Sequence, residues 1–106
     1  MAPFLIPPHI LAKIRQAHGV EEDEVREAFF NREYEFSPER REQHEREYRK
    51  IWFIAETDLG RLLKVVLAEL KDDDQLVLMS AYDPNDEDIK KYENEIKSAE
   101  ANRKRQ

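Results

Sequence analysis

Arg61 and Lys64 lie three residues apart, just after Asp58-Leu59-Gly60. Two cations on one strand can hold a phosphate, Arg through a planar bidentate fork and Lys as a point charge. The plainer readings are a solvated strand end for Arg61 and, for Lys64, a lysine whose stem covers apolar surface. A histidine side chain is suited by its unperturbed pKa to general acid or base work, which makes His18 a candidate for that role. Equally, a histidine in the last turn of a helix, ahead of Gly19, meets the negative end of the helix dipole. His44 sits in Arg40–Lys50, where five basic residues alternate with glutamates and Tyr48. Such a segment can contact nucleic acid with the tyrosine stacked on a base, or be a solvated loop whose Glu–Arg pairs cancel its field. His9, His18 and His44 share no metal-ligand spacing. The carboxylate runs 21–24, 72–74 and 86–88 lack the alternation and glycine of a calcium loop. With no cysteine and only two glycines, thiolate metal sites and phosphate-cradling loops are excluded, and no cofactor or metal is expected.

The elements that must position these residues follow from periodicity. Residues 3–6 read as a short edge strand. A helix over 8–18 has Pro8 in its first turn and Gly19 at its end, with an apolar stripe of Ile10, Leu11, Ile14 and Ala17. A second helix over 21–30 opens on Glu21-Glu22-Asp23-Glu24, which suits the positive end of the dipole, and buries Val25, Ala28 and Phe29. Tyr34–Phe36 reads as a short strand and Ser37–Arg49 as a charged loop or loosely packed helical turn. Strands over 51–57, 61–70 and 76–82 form an antiparallel meander. The last helix starts at Asp83-Pro84, with Asp83 as cap and Asp86 or Glu87 completing a capping arrangement. Its stripe is Ile89, Tyr92 and Ile96, and beyond Ser98 a basic tail is expected to fray. The expected class is α+β: a small antiparallel sheet, a three-strand meander plus short edge strands, with two N-terminal helices and one C-terminal helix on one face. Residues 1–97 form a single domain and 98–106 a tail.

Closing the hairpin at residues 58–60 pairs Thr57 with Arg61, Ala55 with Leu63, Phe53 with Val65 and Ile51 with Leu67. That face is apolar and belongs under helices. The other carries Trp52, Ile54 and Glu56 beside Leu62, Lys64 and Val66, a surface either covered by something or made to bind something.

The 106 residues allow one core. Charged residues make up 40%, with 24 acidic against 18 basic and a net charge of −6, which disfavours sequence-independent coating of nucleic acid. No apolar run approaches the ~20 residues that span a bilayer. The proline-broken, uncharged first residues do not resemble a signal peptide. The chain reads as a soluble, cytoplasmic domain with no membrane partner.

Several stretches resemble the BrnT-like toxins of the RelE superfamily: Ala17-His18-Gly19-Val20 followed by an acidic helix ending in Phe29-Phe30; the hairpin Trp52–Thr57 to Gly60–Val66; and Leu78–Tyr82 with the acidic helix reaching Tyr92. The resemblance spans about residues 8–93. It implies a RelE-like fold and a toxin of a type II toxin–antitoxin system, a metal-independent ribonuclease neutralised by a DNA-binding protein antitoxin. RNA would then be the substrate. Lys64 and Arg61 would hold phosphate, and His18, His44 or Tyr82 would transfer protons. Tyr82 stands where such toxins carry an arginine, and the acidic balance also departs from their basic character. An alternative is a catalytically inactive, toxin-like protein-binding module. Small sequences of this pattern are sometimes labelled ADP-ribosyl-(dinitrogen reductase) hydrolase, a name that implies a much larger all-helical enzyme with two metals.

Overall fold

A computed structural model describes residues 3–39, 48–72 and 74–104. Its elements are α1 (Pro8–His18), α2 (Glu22–Asn31), β1 (Ser37–Pro38), β2 (Tyr48–Glu56), β3 (Leu62–Leu70), β4 (Leu76–Tyr82) and α3 (Asp86–Lys104). The strands form an antiparallel sheet in the order β1-β2-β3-β4. The fold is therefore α+β with two N-terminal helices and one C-terminal helix, as the sequence leads one to expect.

Gly19 ends α1 in the left-handed region, at φ 60°, where a Cβ is disfavoured. Its N–H reaches the Arg15 carbonyl and the Val20 N–H reaches Ile14, which folds α1 directly into α2. This turn buries Ile14 and Val20 together. Of the predicted α1 stripe, Ile10, Leu11 and Ile14 face the core, whereas Ala17 is exposed. Gly60, at φ 88°, closes the β2–β3 hairpin, and the register pairs Ala55 with Leu63, Phe53 with Val65 and Ile51 with Leu67. The Thr57 N–H reaches the Arg61 carbonyl at 2.8 Å, so the anticipated pairing holds to the hairpin's end.

Five expectations need correction. The helices do not share one face: α1 and α2 pack on the face of Phe53, Leu63, Val65 and Leu67, while α3 crosses the other, with the Tyr92 ring tilted against Trp52, centroids 5.4 Å apart. Tyr34–Phe36 is not a strand. Phe36 is held by Phe29 and Phe53, each with ring centroids 6.0 Å away, and Arg32 lies 4.4 Å over its ring; the ladder begins at Ser37, opposite Trp52. Tyr48 and Arg49 belong to β2, paired with Leu70 and Glu69, since the long partner strand offers register that far. Residues 3–6 contribute one parallel bridge, Leu5 to Val77, beside β4. The sequence around Ser98–Lys104 is rich in good helix formers, and α3 continues through it.

A break in register between Val66 and Leu67 matters most for the site. Val66 pairs with Ser80 but Leu67 with Leu78, so Met79 is the extra residue of a bulge. Leu78 and Ala81, three apart, thereby both bury on the face under α1 and α2. The residue after Ala81 is turned to the opposite face, which sets Tyr82 beside Lys64. No helix among the described residues is long and apolar enough to cross a membrane.

Candidate functional site

The hairpin end of the sheet collects Arg61, Lys64, Tyr82 and His18. Arg61 stands just ahead of β3, facing the α1–α2 corner. Its Nε and Nη2 fork onto Asp83 at 2.9 and 3.0 Å, Nη1 reaches both Glu24 oxygens at 3.1 Å and the Gly19 carbonyl at 2.9 Å, and Nη2 reaches the His18 carbonyl at 3.0 Å. These bonds engage both edges of the guanidinium fork. The two carbonyls lie at the C-terminal end of α1, where such groups lack helical partners, and Glu24 sits in the first turn of α2, where its Oε1 also accepts the Glu21 N–H. The bond to Asp83, ahead of the opposing effect of burial and the attraction of Glu24, holds the guanidinium protonated above its usual range. The same bond holds the Asp83 carboxyl below its ordinary value.

Asp83 is thus a partner of Arg61, and this replaces its expected role as the cap of α3. The cap is Asn85: its Oδ1 accepts the Asp88 N–H at 2.8 Å, and Asp88 Oδ2 accepts the Asn85 N–H at 3.1 Å, a reciprocal capping box. Asp88 Oδ1 in turn receives Lys64 Nζ at 2.9 Å. Lys64 is 9% exposed and lies 4.6 Å from the Trp52 ring and 5.7 Å from the Tyr82 ring. Burial is the largest influence on Lys64 and works against its charge, yet Asp88 and Tyr82 together outweigh it, so its pKa rises. Burial likewise opposes the charge of Asp88, and the bonds from Lys64 and from the Asn85 backbone overcome it, so that pKa falls. An ion pair with aromatic walls and cap hydrogen bonds satisfies the buried Lys64 and the half-buried Asp88. Of the two readings left open for Lys64, neither solvent-directed snorkelling nor a free phosphate ligand describes it here: its ammonium pairs with α3.

His18 is exposed at the end of α1, its ring 5.5 Å from that of Tyr82. The structure thus brings together four of the residues singled out in sequence, Arg61, Lys64, His18 and Tyr82. His44 lies outside the described residues. Asp83, Asp88 and Glu24, which engage the two cations, were read from sequence only as helix starts; the Asn85–Asp88 spacing was the available signal for the true cap.

Two grooves flank α3 on this face. One, of about 590 Å³, is lined by Trp52, Lys64, Tyr82, Asp88 and Lys91 among others. The other, of about 570 Å³, lies toward the hairpin end, over Ile54 and Leu62. Both are in the size range of ligand clefts. Among the described residues no group of His, Asp and Glu side chains is arranged to hold a metal ion. Chemically, the site can donate or accept protons at His18 and Tyr82; both of its cations are committed to carboxylates of the same chain. No known protein family, curated protein or solved structure matches this chain.

Proposed function

We propose that this chain is a toxin-like protein-binding module of the cytoplasm, which works by associating with a protein partner and does not cut RNA. The observation that carries this reading is the saturation of Arg61. A phosphate would have to displace Asp83, Glu24 and two backbone carbonyls, and with them the corner between α1 and α2. Lys64 is likewise matched by Asp88. Transition-state charge on a phosphate needs cations aimed at the substrate, and these two are aimed inward. The ADP-ribosyl hydrolase reading draws no support: its two metals need clustered carboxylates, and none are so arranged among the described residues.

A second reading, the metal-independent ribonuclease neutralised by an antitoxin, is favoured by the meeting of His18, Tyr82 and Lys64. In that case His18 and Tyr82 exchange protons with the 2′-hydroxyl and the leaving oxygen.

Induced expression in a bacterial host, followed by growth and total RNA integrity, separates the two. The binding module leaves growth and RNA intact at high soluble levels, in the parent and in Lys64→Ala and His18→Ala alike. RNA breakdown that disappears in those variants, with their fold retained by circular dichroism, establishes the ribonuclease instead.

A further inference from the structure

The groove at the hairpin end has an apolar floor and an acidic rim. Ile54 and Leu62 form the floor, Tyr92 a wall, and Glu33, Glu56 and Asp58 the rim; among the described residues no Lys, Arg or His lines it. Glu33 and Glu56 are exposed, and neither has an ion-pair partner among the described residues. Asp58 accepts one hydrogen bond, from Asn31 Nδ2 at 3.0 Å. The Tyr92 hydroxyl is buried against the Ile54 backbone without a well-formed hydrogen bond. Apolar side chains continue onto the surface nearby: Tyr34 is 42% exposed and Leu59, at the hairpin tip, 98%.

At the neighbouring groove the carboxylate of Asp88 is matched by Lys64. At this groove three acids border an apolar floor with no countercharge among the described residues, which disfavours a phosphate ligand and favours a cationic one. The net charge of −6 steers such a partner in from a distance. We propose that this groove docks a basic amphipathic segment of a protein partner, with an apolar side chain over Ile54 and Leu62 and Lys or Arg side chains on Glu33, Glu56 and Asp58. The inference rests on the binding-module reading and gives its partner a chemistry and a place.

The test uses the full chain and a labelled synthetic helix-forming peptide of lysines and leucines at amphipathic spacing, with a counterpart in which glutamate replaces lysine. Anisotropy should show binding of the lysine peptide alone, and NMR shifts should centre on Ile54, Leu62 and Tyr92. Glu33→Gln with Glu56→Gln should weaken binding roughly fivefold, the worth of two rim charges. Asp72→Asn with Glu93→Gln makes the same change in net charge at exposed sites outside the groove and should leave binding nearly unchanged. No binding, equal weakening by both pairs, or equal binding of the glutamate peptide overturns the assignment. Intact RNA in the expression assay together with any of these results rejects the groove alone, whereas RNA breakdown rejects the reading beneath it.

Discussion

The face beneath α1 and α2 and the face beneath α3 belong to the same strands but are closed by different means. On the first, Phe53, Leu63, Val65, Leu67, Leu78 and Ala81 are all but inaccessible, and Phe4, Ile14, Val20, Val25 and Ala28 complete the layer. Shape alone seals it. On the second, one highly charged helix rests on Trp52 through Tyr92 and on Lys64 through Asp88, with Ile89 and Ile96 only partly buried and a groove on either side. Closure by a few specific contacts leaves surface open for a partner, and the difference separates the face that makes the fold from the face available for association.

Core truncation gives the widest contrast. Phe53→Ala should cost about 3–5 kcal/mol, the range for a large aromatic in a close-packed layer. Trp52→Ala should cost clearly less, because the adjoining groove lets water fill the space. Urea midpoints measure both, and equal losses would remove the distinction between the faces.

The ion pair comes next. Asp88→Leu leaves Lys64 buried without its partner and should destabilise by about 3 kcal/mol. Adding Lys64→Met should restore most of that loss, since an apolar pair of similar volume often replaces a buried ion pair at little cost. If the double variant is no more stable than the single one, the pair is positioned by more than mutual charge.

The smallest effect is in pH. Asp83 and Asp88 both have lowered pKa values, so their contribution is complete above the unfolded carboxylate value of about 4 and is lost as pH falls through their lower folded values. Asp83 is 63% exposed, so solvent screens its share and Asp88 accounts for most of the acid limb. The raised pKa of Lys64 acts at the other end: its contribution is present below the unfolded value of about 10.4 and disappears as pH rises through the folded one. Asp88→Asn should flatten the acid limb in urea titrations between neutral and acid pH. An unchanged limb would assign acid sensitivity to the exposed carboxylates.

Much of this architecture was legible locally. Pro8 and Gly19 bound α1 because each fixes or permits a particular φ, and Gly60 fixed the hairpin and hence every pair from Ala55–Leu63 to Ile51–Leu67. The candidate site was legible only as residue types. Arg61 and Lys64 stood out as cations on a strand, but their partners lie 22 to 43 positions away in sequence, beyond any local pattern. Asp83 looked like a helix cap because Asp-Pro is a common helix start; the guanidinium of Arg61 claims its carboxylate, and Asn85 takes the cap.

The sequence by itself determined the elements, the hairpin register and the existence of two apolar faces, because turn chemistry and side-chain alternation act over a few residues. Tertiary structure decided which helices cover which face, since that depends on how α3 crosses the sheet after β4. It decided, through the bulge at Met79, that Tyr82 stands beside Lys64. It also decided that both cations are satisfied within the chain, because a charge chooses its partner by distance in space, and those distances exist only once the sheet and helices have packed.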